Sequence, residues 1–97
     1  MNMHNPPHPG EFISDVYMEP FGYSCRFVAK QLDVSPSTLS RILKAKSAIT
    51  PEMALRLSKA LGRSPESWLS MQDNYDLWQA KHNVNLANVH PIDFAVA

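Results

Sequence analysis

The fold is decided by residues 25–44, which read CRFVAKQLDVSPSTLSRILK. The pattern predicts a helix, a turn over residues 33–35 and a second helix beginning at Pro36. Ala29 supplies the small side chain that two closely crossing helices need, and Asp33 tolerates the positive φ of such a turn. Apolar residues that would hold the second helix against the first are Val34, Leu39 and Ile42. The stretch therefore predicts a helix-turn-helix.

Short hydroxyl and basic side chains remain on the outward face of the second helix and next to it. Such groups hydrogen-bond to base edges and phosphates in a DNA major groove. The predicted DNA-binding residues are Arg26, Ser35, Ser37, Thr38, Ser40, Arg41, Lys44 and Lys46. The same pattern would also fit an ordinary helical hairpin with a small-residue crossing.

A net charge of zero hides an uneven distribution of charge along the chain. Through Cys25 there are three acidic residues and no basic one, a charge of −3. From Arg26 to Arg63 eight basic residues stand against two acidic ones, a charge of +6. From Ser64 onward, four acidic residues and one lysine give −3. A basic middle between acidic ends indicates a localised site for a polyanion, and the alternative is a solvated surface of uneven charge.

Helix starts recur in this chain as a hydroxyl residue followed directly by proline. The hydroxyl caps the helix, and proline at the first helical position loses no hydrogen bond. These pairs are Ser35-Pro36, Thr50-Pro51 and Ser64-Pro65. A further helix is predicted from Glu11 to Glu19, closed by Pro20, and Ser24 can cap the next one. Because alternating apolar runs are missing from the sequence, we predict an all-α fold of about five helices that contains the helix-turn-helix.

The 97 residues are enough for one domain. Residues 1–10 contain three prolines and a glycine, which predict an extended N-terminal lead-in. Residues 11–82 are predicted to form a helix-turn-helix DNA-binding domain with a dimerising last helix. Residues 83–97 are predicted to be an irregular C-terminal tail.

The last predicted helix is apolar on two faces. One face would carry Trp68, Met71, Tyr75 and Trp78, at offsets of three, seven and ten residues. The second face would carry Leu69, Leu77 and Ala80. A helix with two apolar faces in so small a protein needs a second neighbour, and a symmetric partner is the simplest one. These three residues are the predicted homodimer interface; the alternative is that one subunit buries both faces.

Several segments resemble the HigA antitoxins of the Xre (phage-repressor-like) helix-turn-helix class. The resemblance covers about residues 6–80 and is carried by Pro7-His8-Pro9-Gly10-Glu11, Val34-Ser35, Thr38-Leu39-Ser40, Ile49-Thr50-Pro51-Glu52-Met53-Ala54-Leu55-Arg56-Leu57, Ser64-Pro65-Glu66-Ser67-Trp68-Leu69 and Tyr75-Asp76-Leu77-Trp78. Two positions depart from the family pattern. Asp33 stands where the turn usually has glycine, and Lys44-Ala45 stands where the family usually has Asn-Gly.

The resemblance implies an antitoxin that neutralises a HigB-like mRNA-cleaving toxin and represses its own operon as a dimer. Its expected partners are double-stranded operator DNA, the toxin and a second copy of the chain. Two alternatives remain open at this point. One is an orphan Xre-type transcriptional regulator without a toxin, and the other is a protein-interaction module that does not bind DNA.

Other function classes find little support in the sequence. The single cysteine, Cys25, excludes an internal disulfide, and no Cys/His spacing predicts a zinc site. His4, His8, His82 and His90 are expected to be exposed. No nucleophile or acid–base motif is present, so we expect no enzyme, no catalytic residue, no metal and no cofactor. No apolar run reaches the ~18 residues that a membrane span needs. With no signal-peptide pattern at the start, the expected location is the cytoplasm.

Overall fold

Five helices make up the fold of this computed structural model, which describes residues 5–95. Helix α1 covers Pro9–Phe12 and continues through π-helical turns over Ile13–Met18 and a 3₁₀ turn over Glu19–Phe21. The others are α2 (Cys25–Leu32), α3 (Pro36–Leu43), α4 (Pro51–Leu61) and α5 (Pro65–Asn83). The described residues contain no β-strand. The predicted all-α fold of about five helices is confirmed.

The predicted hydroxyl caps all form. Ser24, Ser35, Thr50 and Ser64 each accept a hydrogen bond from the backbone N–H three residues later, at 3.0–3.2 Å. Each cap satisfies one of the N–H groups that a helix start leaves without a partner. The local sequence therefore sets where α2, α3, α4 and α5 begin.

Three of the helical segments end with the same left-handed turn. Gly22, Asp33 and Ala45 follow the helical residues with φ of 69°, 58° and 61°. At each end, one N–H bonds back across five residues and another across three, the pattern of a Schellman motif. The prediction that Pro20 closes the first helix is wrong, because Pro20 lies inside the 3₁₀ turn and the segment ends at Gly22.

The first helix begins at Pro9, two residues earlier than the predicted lead-in over residues 1–10 implies. The His8 side chain caps it, since Nδ1 accepts a hydrogen bond from the Gly10 N–H at 2.9 Å. Gly10 is buried against the end of α3, and a Cβ on Gly10 would lie only 1.9 Å from the Ile42 carbonyl oxygen. This close approach fixes α1 against α3. Residues 1–4 of the lead-in lie outside the described residues.

The core is built around Trp68, which is fully buried. Its indole Nε1 donates to the Gly62 carbonyl at 2.9 Å, and the rings of Phe12 and Tyr17 lie 6.0 Å away. The other buried apolar residues of the core are Ile13, Met18, Val28, Ala29, Leu32, Leu39, Ile42, Ile49, Met53, Ala54 and Leu57. Beyond α5, residues 84–95 are exposed and contain turns at residues 87–88 and 94–95 but no helix or strand.

The free energy of unfolding should fall as the pH drops below 6.5, the ordinary pKa of a histidine. Burial lowers the pKa of His8, and the nearby Asp76 and Glu11 carboxylates and the Ser47 backbone offset this only in part. A histidine with a depressed pKa in the folded state takes up its proton more readily when unfolded, so acid favours unfolding. Protonation at Nδ1 would also remove the acceptor for the Gly10 N–H. Urea unfolding at pH 7.5 and 5.5 measures the effect.

The matched control is His8→Asn, which keeps a capping acceptor and does not titrate. We expect the free energy of unfolding to change less between the two pH values in this variant than in the natural chain. An identical pH dependence in both proteins would contradict the role given to His8.

Candidate nucleic-acid interface

The turn between α2 and α3 is fixed by the C-terminal end of α2 and the inner face of α3. Ala29 of α2 is fully buried, and Asp33 adopts φ 58° and ψ 46°, the positive φ that the sequence predicts for this turn. Val34, which is half-buried, donates its N–H to the Ala29 carbonyl at 3.0 Å. Leu39 and Ile42 are buried on the inner face of α3. The outer face of α3 is therefore held towards solvent in one orientation.

Arg56 of α4 braces this turn, a role that the sequence does not predict. Its Nη1 donates to the carbonyls of Leu32 and Asp33, both at 3.0 Å. Its Nη2 donates to the Glu52 carboxylate at 2.8 Å, and this hydrogen bond is the main reason that the pKa of Arg56 is raised. Only the spacing of four residues between Glu52 and Arg56 could have indicated the pair from the sequence. Arg56 thus belongs to the support of the site.

Three predicted hydroxyl residues meet at the start of α3. The Ser35 hydroxyl accepts from the Thr38 N–H at 3.1 Å and also lies 2.8 Å from the Thr38 hydroxyl and 3.2 Å from that of Ser37. All three residues are exposed. Helix α3 thus presents a compact set of hydroxyl groups at its N-terminal end, where a recognition helix contacts base edges. Ser40, one turn further on, is half-buried.

The Arg41 side chain lies along the loop that follows α3. Its Nε donates to the Ser47 hydroxyl at 3.1 Å, and its Nη2 donates to the Lys46 carbonyl at 3.4 Å. Arg41 is nevertheless exposed, and so are Lys44 and Lys46. The loop is held from the other side by Gln72, whose Oε1 accepts from the Ile49 N–H at 2.8 Å. Gln72 is 4% exposed, and no sequence pattern predicts its role.

Among the described residues, no acidic side chain forms an ion pair with the basic side chains around α3. Within residues 5–95, the ion pairs closer than 4 Å all involve Arg56, with Asp33 and Glu52. Arg26 and Lys30 line a shallow groove with Ser35 and Pro36, beside the hydroxyl set. The predicted DNA-binding residues therefore lie at the two ends of α3, with Arg26 on the adjoining face of α2.

A comparison with protein families decides which family this chain belongs to. A family model described as helix-turn-helix matches residues 17–68, which is more than half of the chain. The chain belongs to the helix-turn-helix family. The matched residues run from the middle of the first helical segment to Trp68 and so include α2, the braced turn and α3. This family consists of DNA-binding proteins that are not enzymes, in agreement with the sequence prediction.

Relatives of this helix-turn-helix chain include regulators and antitoxins. YddM of Escherichia coli K12, an uncharacterized HTH-type transcriptional regulator, is 38% identical over 89 residues, covering 92% of this chain and 94% of its own. Antitoxin HigA-1 of Vibrio cholerae is 31% identical over 77 residues, covering 79% and 72%. The structure of Pseudomonas aeruginosa antitoxin HigA with the higBA promoter is similar with a TM-score of 0.81 and 30% identity, covering 94% and 99%. The resemblance to HigA antitoxins is confirmed.

The two apolar faces of α5 differ in how deeply their residues are buried. Trp68 is buried in the core, and Leu69 packs partly against that core in its own chain. Leu77 is 56% exposed, and Ala80 is half-buried. The exposed part of the predicted dimer face is thus centred on Leu77 in the second half of the helix.

The histidines do not form a metal site in the part of the chain that the structure describes. No group of three or more His, Cys, Asp or Glu side chains converges among these residues. His82 and His90 are exposed, and His4 lies outside the described residues. The prediction that His8 is exposed is wrong, because His8 is only 5% exposed. Its ring lies edge-on to that of Tyr75, with the ring centroids 4.9 Å apart. No helix within residues 5–95 is both long and apolar enough to cross a membrane.

Proposed function

We propose that this chain is an antitoxin that represses its own operon as a dimer and neutralises a HigB-like mRNA-cleaving toxin in the cytoplasm. The observation that carries the DNA-binding part is the exposed set of hydroxyl and basic groups at the two ends of α3. The braced turn gives this set a fixed direction. An α-helix with its side chains is about 10–12 Å across, which fits the ~12 Å width of the major groove.

Different side chains of this surface would serve different contacts. The hydroxyls of Ser37 and Thr38 face base edges, and Arg41 would form paired hydrogen bonds with O6 and N7 of a guanine after leaving Ser47. Ser35 and Ser40 supply further polar contacts at the rim. Arg26, Lys44 and Lys46 would contact phosphates, which position a protein on DNA without reading its sequence.

A dimer would place two copies of α3 on one side of the duplex. The Leu77 face of α5 is an exposed apolar surface outside the DNA-binding residues, which supports pairing through Leu69, Leu77 and Ala80. Two recognition helices that enter successive major grooves have centres about 34–36 Å apart. The operator should therefore be an inverted repeat with half-site centres about 10–10.5 base pairs apart.

The toxin part of the proposal is supported by the relatives. HigA-1 of Vibrio cholerae is named as an antitoxin, and so is the HigA protein in the Pseudomonas aeruginosa structure. The similarity to YddM favours a second candidate, a transcriptional regulator without a toxin. Expression of the neighbouring gene separates the two. If its product arrests growth and this chain relieves the arrest, the chain is an antitoxin; if no neighbouring product is toxic, it is an orphan regulator.

Replacing Lys44 or Lys46 by alanine should weaken the salt dependence of operator binding. Each lysine that neutralises a phosphate releases about one counterion, so the slope of log affinity against log salt should shrink by ~1 per site. Preference for the operator over random DNA should remain. Fluorescence anisotropy at several salt concentrations measures both quantities. Lys59→Ala, an exposed lysine on α4, is the matched control, and a slope that stays unchanged in all three variants would remove Lys44 and Lys46 from the interface.

A further inference from the structure

The His8 side chain lies between the first turn of α1 and the loop over residues 44–47, which follows α3 and is called the basic loop here. His8 is 5% exposed, and its ring lies edge-on to that of Tyr75 on α5. Because Nδ1 accepts the N–H of Gly10 at 2.9 Å, the proton of the neutral ring is on Nε2. The backbone of Ser47 is the second hydrogen-bond partner of the ring. One buried side chain therefore joins the start of α1 to the basic loop.

The basic loop carries part of the proposed DNA interface. Lys44 and Lys46 are exposed on it. Ser47 is shared between the two sides of the loop, since its backbone bonds to His8 while its hydroxyl accepts from Nε of Arg41 at 3.1 Å. Nη2 of Arg41 also donates to the Lys46 carbonyl at 3.4 Å. A displacement of Ser47 would therefore move both lysines and Arg41 relative to α3.

Helix α1 meets the end of α3 directly beside the contact made by His8. A Cβ on Gly10 would lie 1.9 Å from the Ile42 carbonyl oxygen and 2.8 Å from the Cα of Leu43. The same Ile42 carbonyl accepts the Ala45 N–H at 3.0 Å, in the turn that leads into the basic loop. His8, Leu43 and Ala45 line one groove. The first turn of α1 thus supports the basic loop from the side opposite to solvent.

The choice of histidine as the cap of α1 is unusual within this chain. Helices α2 to α5 are all capped by serine or threonine hydroxyls. A short polar side chain would also satisfy the N–H of Gly10, and such residues are the preferred caps in general. What an imidazole adds is a second nitrogen on the far side of the ring. In His8 this nitrogen is the one left for the Ser47 backbone, so the cap alone does not account for the residue.

We propose that His8 is a positioning residue for DNA binding, and that its Nε2 holds the basic loop where Lys44 and Lys46 meet the phosphates. This inference rests on the proposed DNA-binding function and extends it to a buried residue behind the interface. Precise placement of binding groups depends on such supporting contacts.

Two substitutions separate the two nitrogens of the ring. His8→Asn places an amide oxygen near the Nδ1 position and ends short of Nε2, so it keeps the cap on Gly10 and loses the bond to Ser47. His8→Gln places an amide N–H near the Nε2 position, so it keeps the bond to Ser47 and loses the cap. Both variants lose the ring contact with Tyr75. The difference between them therefore reflects the two hydrogen bonds.

We expect the two variants to rank in opposite orders in urea unfolding and in binding to the chain's own promoter, measured by fluorescence anisotropy. His8→Asn should be the more stable variant because it keeps the cap. It should nevertheless bind the promoter about 10-fold more weakly than His8→Gln, an effect of the size seen for residues that are coupled to a site without contacting its ligand. The slope of log affinity against log salt should shrink by ~1 in His8→Asn alone, because a displaced basic loop loses a phosphate contact.

Tyr75→Leu is the matched control, because it removes the ring contact and leaves both hydrogen bonds of His8 in place. It should lower the free energy of unfolding and change promoter affinity by less than ~2-fold. A role in stability alone would make promoter affinity follow stability in all three variants.

The remaining outcomes distinguish a failure of this inference from a failure of the proposed function. If the natural chain prefers its promoter and the two His8 variants bind it equally, or His8→Gln binds it more weakly, the positioning role is wrong and DNA binding stands. If the natural chain binds promoter and random DNA alike, the DNA-binding proposal fails and the role of His8 fails with it. Should His8→Gln not fold, the comparison of the natural chain with His8→Asn decides: unchanged promoter affinity and an unchanged salt slope would overturn the proposal.

Discussion

Gly10→Ala should lower the free energy of unfolding by about 3 kcal/mol, the upper end of the usual cost of overpacking. The added methyl group would sit 1.9 Å from the Ile42 carbonyl oxygen and 2.6 Å from the Ile42 carbonyl carbon. These are backbone atoms of α3, so no side chain can rotate away, and α1 has to separate from α3. For a domain of this size we expect the Tm to fall by roughly 12–24 °C in a thermal scan followed by circular dichroism.

Gly22→Ala is the matched control for this substitution. Gly22 has φ 69° and no neighbouring atom within 4 Å of the added Cβ. It should lose only the ~1 kcal/mol that a left-handed conformation costs an alanine. Equal losses in the two variants would mean that the close approach of α1 to α3 does not exist.

Inserting five base pairs between the operator half-sites should reduce binding to the level of a single half-site. Half a helical turn rotates one half-site to the opposite face of the duplex, where the second α3 of a rigid dimer does not reach it. Hydroxyl-radical footprinting of the natural and the spaced operator shows which half-sites are protected. Equal protection of both half-sites in both operators would contradict a rigid dimer.

Leu77→Asp supplies the control for the spacing experiment. A charge placed in the apolar face of α5 should give a folded monomer, because Leu77 is exposed in the single chain and carries no core packing. This monomer should bind the natural and the spaced operator alike and weakly. Sedimentation gives its mass, and an unfolded variant would place Leu77 in the core instead.

The features that the sequence predicted correctly are local ones. Ser35 caps α3 because its hydroxyl stands directly before a proline at the first helical position. Asp33 adopts the left-handed conformation because its short polar side chain tolerates a positive φ. Such positions depend on a few consecutive residues, so a single sequence is enough to find them. Ala45 was not predicted to do the same, yet it adopts φ 61° at the position where HigA antitoxins usually carry glycine.

The features that the sequence did not predict join distant parts of the chain. Gly10 and the prolines before it predict an extended segment, yet Gly10 lies inside α1 and is needed where two backbones meet. His8 is buried because Tyr75 lies 67 residues further along the chain and packs against it. Arg56 and Gln72 act on backbone groups 23–24 residues away. No local pattern predicts which backbone carbonyl or N–H group will lie within hydrogen-bonding distance of a given side chain after folding.

The direction of the Arg41 side chain is a feature of the candidate site that the local sequence does not predict. Its helical position predicts an outward side chain, and the residue is exposed. The guanidinium, however, is directed to Ser47 and the Lys46 carbonyl in the loop after α3. Contact with a base therefore requires Arg41 to exchange these hydrogen bonds for others, and its role in DNA binding stays a prediction.

The most direct test of sequence recognition by α3 is the ratio of affinities for the chain's own promoter and for random DNA of equal length, measured by anisotropy at physiological salt. If α3 reads an operator, the natural chain should prefer its promoter by at least ~10³-fold. Arg41→Ala should lose ~1–3 kcal/mol of promoter binding and become indifferent to one base pair, with random DNA affected less. A ratio near one for the natural chain would contradict the claim that α3 is a sequence-reading helix.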